Sequence, residues 1–190
     1  MFIKTSVFKK LIKSSYTGSG LTVGRIEENY IVCCPQFILY INENHFKKEI
    51  KAAIIELVGE LPEQGEVFKE DKEGNRQQIM ALDEIYNIGT FKGCNLKYRI
   101  TNIILNVYDS SYRVIQEENT KEKFYMPEKI LEMVSLNDVE ENETLPEGPI
   151  GREKYVIWRN ETATLVTFKE AGREDTKEAD IMRALRGVNL

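Results

Sequence analysis

Histidine is nearly absent: the 190 residues contain one, His45. That excludes paired-histidine metal sites, and any Ser-His-Asp or Cys-His arrangement would have to use this one residue. Its place in the first turn of a predicted helix, beside Phe46, makes it a surface or capping residue. Cysteine is scarce as well, with three residues and no Cys-x-x-Cys pair. A structural zinc site needs about four Cys or His ligands at workable spacing, which this chain does not supply. Cys33 and Cys34 are neighbours in a strand-like run, so their side chains point to opposite faces, and they read as structural thiols in a reducing compartment. No apolar run approaches the ~18 residues of a membrane span. Lys4, Lys9, Lys10 and Lys13 interrupt any apolar core of a secretion signal, so a cytoplasmic location is expected. The phosphate-cradling Gly-x-x-x-x-Gly-Lys-Ser/Thr pattern is missing. Gly18-Ser19-Gly20 is the nearest approach to it, but it follows a helical pattern where such a loop would follow a strand. No catalytic residue, metal or cofactor is assigned.

What is present is ordinary globular material: 42% hydrophobic and 30% charged residues, with eight Phe and nine Tyr. A chain of this size buries roughly 70% of its unfolded surface when it folds as one domain. One α+β domain over residues 1–190 is expected, with sub-halves 1–80 and 97–190 as the alternative division. Richness in Lys, Ile, Glu and Asn is the composition of a bacterial or phage chain from an AT-rich genome. The formal net charge is −5, and its distribution is uneven. Residues 1–26 carry Lys4, Lys9, Lys10, Lys13 and Arg25 and no acid. Residues 137–147 carry Asp138, Glu140, Glu141, Glu143 and Glu147 and no base.

Periodicity predicts the elements. Met1–Thr5 reads as a short strand, and Thr5 or Ser6 caps a helix to Ser14 with Val7, Phe8, Leu11 and Ile12 as its apolar stripe. Leu21–Ile26 and Tyr30–Cys34 form a hairpin, and Phe37, Leu39 and Ile41 alternate as a half-buried strand. The clearest helix is His45–Val58, started by Asn42 or Asn44 and stopped by Gly59. Residues 66–70 and 76–80 flank the turn Asp71–Asn75, while 97–107, 112–116 and 123–126 read as strands and 127–134 as a helix. Residues 136–152 read as one long loop, either mobile or functional. Residues 155–158 and 164–168 form a last hairpin, and Asp175 with Glu178 marks the start of a final helix ending at Gly187. The fold class is α+β: a mainly antiparallel sheet of about seven to nine strands carrying four helices. The recurrence of helix, hairpin and helix near 6–58 and 127–187 offers two pseudo-repeated halves as an option.

Three functions follow in order. The leading one is a non-enzymatic binding or assembly protein that meets a protein partner, with Asp138, Glu140, Glu141 and Glu143 as the acidic docking segment. The second is a nucleic-acid-associated, clamp-like or accessory factor that meets phosphates through Lys9, Lys10, Lys13 and Arg25. The third is a carboxylate- or metal-dependent hydrolase drawing on Asp83, Glu84 or Asp109. Tyr108 and Tyr112, which bracket the Asp109 turn, are candidates for an interface pair. No membrane contact is expected, and the oligomeric state is not fixed by the sequence.

Overall fold

The computed structural model describes residues 1–80, 84–107, 109–152, 154–169, 177–185, 188 and 190, with the backbone alone for 177–179. Asp83, Tyr108 and the Asp175–Glu178 cap with Gly187 therefore lie outside the described residues. The architecture is α+β, a mainly antiparallel sheet with four α-helices among the described residues.

Helix α1 (Thr5–Gly18) buries Phe8, Leu11 and Ile12, which recur at helical spacing. Burying such side chains contributes about 1.5–3 kcal/mol each. It has no side-chain cap. Its start is instead held by chain pairing. Lys4 N–H donates to Met133 O and Ser135 N–H to Phe2 O, both at 2.8 Å, around an Ile3–Val134 bridge. The predicted N-terminal strand is thus one bridge to a segment far along the chain. Strands β1 (Leu21–Ile26), β2 (Asn29–Cys34) and β3 (Phe37–Asn42) follow as a meander. Asn42 then caps a short 3-10 turn, Glu43–His45, and helix α2 begins later than predicted, at Lys48, running to Val58. Gly59 closes it at φ 79°, where other residues are strained.

Strands β4 (Val67–Glu70) and β5 (Arg76–Gln78) flank the Asp71 turn, and Asp71 Oδ1 accepts N–H bonds from Glu73 and Asn75. Beyond two 3-10 turns lie β6 (Leu96–Val107), β7 (Ser110–Glu117), β8 (Lys123–Pro127) and α3 (Glu128–Met133). Then come β9 (Glu147–Arg152), β10 (Tyr155–Arg159), β11 (Ala163–Phe168) and α4 (Lys177–Ala184).

The strand order is β5-β4-β1-β2-β3-β11-β10-β9-β6-β7-β8, so among the described residues eleven strands stand where seven to nine were expected. One source of the difference is β9, which lies inside the predicted loop 136–152. Helices α1 to α3 and the N-terminal residues pack on one face, over Val23, Val32, Leu39, Trp158 and Leu165. The opposite face is covered by Tyr86, Phe91 and Cys94. Strand β3 lies between these layers, so Ile38 and Tyr40 are buried along with Phe37, Leu39 and Ile41. It is a central strand, and the expected half-exposed pattern is absent for that reason. Leu105, Val114 and Tyr125 form a third cluster with Met182 and Leu185. No helix among the described residues is long and apolar enough to cross a membrane.

Candidate functional site

The sheet divides between β9 and β6. Their ladder consists of two pairs, Leu96 with Gly151 and Lys97 with Ile150. The next β9 residue is Pro149, which has no N–H to continue the ladder. Before it, Gly148 sits at φ 141°, and a Cβ there would lie 2.6 Å from Ile157 O and 2.8 Å from Trp158 Cδ1. Only glycine lets the chain pass so close to β10. Strand β6 leaves the ladder and continues with β7. A bulge then interrupts it: Ile100 pairs with Ile115 and Ile104 with Arg113, so Thr101, Asn102 and Ile103 stand opposite Val114 alone. The Thr101 hydroxyl stabilises the bulge by donating to Val114 O at 2.7 Å and accepting from Ile103 N–H at 3.2 Å.

Residues opposite one another in an antiparallel pair share a face. Ile100, Ile104 and Arg113 therefore all point to the side occupied by α3. Arg113 reaches the first residue of that helix, donating to Glu128 at 2.9 and 2.5 Å, and donates a third bond to Thr101 O at 3.2 Å. The hydrogen bond to Glu128 raises the Arg113 guanidinium further above its ordinary value.

These departures leave a groove of about 490 Å³ between the bulge, α3 and residues 136–149. Ile100, Leu131, Val134, Leu136, Pro149 and Trp158 supply its apolar walls. Ile100 is 42% exposed and Leu136 60%, and Leu145, beside the lining residue Pro146, is 67% exposed. The charged lining residues are Arg113, Glu128 and Glu132.

The acidic segment runs between the lining residues Leu136 and Pro146 without lining the groove itself, and it is held in place. Lys47 Nζ donates to Asp138 O at 3.1 Å and pairs with Glu140 at 3.2 Å. Asn160 Nδ2 donates to Thr144 O at 2.9 Å, and Thr144 N–H donates to Glu161 at 2.7 Å. Glu143 is 5% exposed and takes the Met1 ammonium group as its partner. Burial pushes its carboxyl up, but bonds from the Met1 amine and Glu140 N–H outweigh this and hold it below the usual range. The Met1 amine, in contrast, is lowered by its own burial. Glu143 is thus engaged within the fold, while Glu141 faces solvent and Asp138 is half-buried.

Lys9, Lys10 and Lys13 are exposed on α1, opposite its buried stripe. Arg25 does not join them as a free cation: it pairs with Glu43 at 2.6 Å and lies 5.2 Å from the centre of the Tyr30 ring. Burial pushes the Cys33 thiol up to about 11 and Cys34 to about 12. His45 is exposed at the end of its 3-10 turn. Glu84 lines a second cavity of about 350 Å³ with Glu27, Asn87 and Tyr40, whereas Asp109 is exposed in the β6–β7 turn. Among the described residues, no group of three or more His, Cys, Asp or Glu side chains could hold a metal ion. Tyr112 is half-buried and stacks edge-on against Tyr125 at 5.3 Å.

No family model matches the chain, and no curated protein matches it. Among solved structures, the DNA polymerase III beta chain of Streptococcus pneumoniae TIGR4 is similar at 10% identity with a TM-score of 0.34. The alignment covers 93% of this chain and 66% of that one, so the chain spans just under two thirds of its length. Nothing about fold or function is drawn from a likeness that weak.

The groove residues escape sequence reasoning because each looks ordinary alone. The usable signal is Leu136 and Leu145, large apolar residues in an otherwise acidic stretch that also carries Pro146, Gly148 and Pro149.

Proposed function

We propose that the chain is a non-enzymatic binding or assembly protein that takes up part of a protein partner in the groove between β6, α3 and residues 136–149. The observation that carries this reading is the exposure of Ile100 and Leu136 on the walls of a cavity of about 490 Å³. Contiguous apolar side chains left in water mark interaction sites, and this volume is that of a binding cleft. The groove is built on a Gly-Pro divergence and a hydrogen-bonded bulge, which favours a preformed site. A photo-crosslinker at position 136 tests it. The protein it captures, once expressed and purified, should bind the wild-type chain and lose at least tenfold in affinity with Leu136→Ser. Equal capture from position 73, in the distant β4–β5 turn, or no loss with the variant, would refute it.

A second reading, a nucleic-acid-associated factor, is favoured by one feature. Lys9, Lys10 and Lys13 are exposed on a helix of 14 residues that contains no acid. Three phosphate contacts predict a slope of about −2.7 in log affinity against log salt for duplex DNA. Salt-insensitive binding, or a slope unchanged when all three become glutamine, would remove this reading. Under either reading the chain is taken as one domain, because β11 from its last third pairs along β3 from its first. One unfolding transition, coincident by fluorescence and circular dichroism, is expected; two separable transitions would favour the halves 1–80 and 97–190.

A further inference from the structure

We infer that the groove selects a basic–apolar segment: large aliphatic or aromatic side chains flanked by lysine or arginine. This rests on the groove being a binding site, and it adds what the site recognises. The walls call for apolar side chains, since Ile100, Leu131, Val134, Leu136 and Trp158 supply most of them. The rim sets the charge. Of its charged lining residues, Arg113 and Glu128 pair with each other, and beside the groove Arg159 is engaged by Glu147 at 2.9 Å and Lys47 by Glu140. Glu132, which lines the groove, and Asp138 and Glu141 in the segment between the lining residues Leu136 and Pro146 have no ion-pair partner among the described residues. Of the five acids in residues 137–147, Glu140, Glu143 and Glu147 are paired with Lys47, the Met1 amine and Arg159, which leaves Asp138 and Glu141. An incoming cation therefore finds unpaired carboxylates, while an incoming anion, phosphate backbone included, meets repulsion.

Helix α1 of a second copy does not supply such a segment, since Lys9, Lys10 and Lys13 stand among Ser6, Ser14 and Thr17 with no exposed apolar side chain to fill the groove.

The test uses the full chain and three fluorescein-labelled nonapeptides, read by anisotropy. One has a central Leu-Leu-Phe flanked by lysines, one the same centre flanked by glutamates, and one is lysine throughout. The lysine-flanked apolar peptide should bind at least tenfold tighter than either control. Glu132→Lys should weaken it at least fivefold and strengthen the glutamate-flanked peptide, and Leu136→Ser and Ile100→Thr should weaken both apolar peptides alike. Circular dichroism confirms that the variants are folded. If the glutamate-flanked peptide binds as tightly as its counterpart and still responds to Leu136→Ser, the charge selection is overturned while the groove stands. If the all-lysine peptide binds equally well, the apolar requirement is overturned. If no peptide binds and Leu136→Ser also leaves the crosslinked partner's affinity unchanged, the groove itself is not the site.

Discussion

Replacing Arg113 by leucine tests how the groove wall is held. The side chain makes three hydrogen bonds, two to Glu128 and one to Thr101 O. Arg113 and Glu128 are 19% and 20% exposed, between a surface pair and a buried one. Exposed pairs contribute about 0–1 kcal/mol, and breaking a buried pair costs about 3–5 kcal/mol. An intermediate site predicts a loss of about 2 kcal/mol for Arg113→Leu. For a chain of this length that lowers Tm by about 4–8 °C. Part of the loss is the carboxylate left without its partner, so adding Glu128→Gln should restore stability, leaving the double variant more stable than Arg113→Leu alone. Calorimetry or urea titration on wild type, both single variants and the double variant closes the cycle. A single variant within 0.5 kcal/mol of wild type, or losses that simply add, would show that the pair is not what anchors α3 to the bulge.

Gly148→Ala forces a Cβ against Ile157 O at a φ only glycine adopts readily, and should cost about 2–4 kcal/mol in urea unfolding; an unchanged midpoint would contradict the close approach. At pH 8 a thiol near 11 is about 100-fold less ionised than one near its ordinary value of 9, so Cys33 should react with a disulfide reagent at least that much more slowly in the folded chain than in urea; a fast native thiol at Cys33 would refute its burial. The Thr120 side chain, by hydrogen bonding, chiefly holds the Glu117 carboxyl below the usual range, and N–H bonds from Asn119 and Thr120 add to this. Its folded value being depressed, that stability is fully present above about pH 4.5 and lost as pH falls through the lower value; Glu117→Gln should thus cost about 1 kcal/mol at pH 7 and progressively less toward pH 3, and a pH-independent difference would contradict it.

Elements whose reasons are local were legible in the sequence. Phe8, Leu11 and Ile12 announce α1, Asp71 and Gly74 announce their turn, and Gly59 announces the end of α2. What was not legible depends on distant partners. Strand β9 was read as loop because Gly148, Pro149 and Gly151 are turn residues, yet β10 supplies the ladder that makes them strand. Arg25 reads as a free cation until Glu43 is brought alongside, and Glu143 reads as a docking acid until the Met1 amine reaches it. Local signals gave α3 and the acidic run separately, and nothing in either indicated that α3 and the residues flanking that run line one groove.

The strand order has a consequence for how the chain acquires its shape. Strand β11 is hydrogen-bonded between β3 and β10, so the flank of β3 has no neighbour until residues 163–168 have been made and docked. Until then, five apolar side chains in a row, from Phe37 to Ile41, sit on an open strand edge, the arrangement most prone to pair with another chain. Folding is therefore gated by a contact between segments more than 120 residues apart, which predicts slow refolding and losses to aggregation that grow with protein concentration.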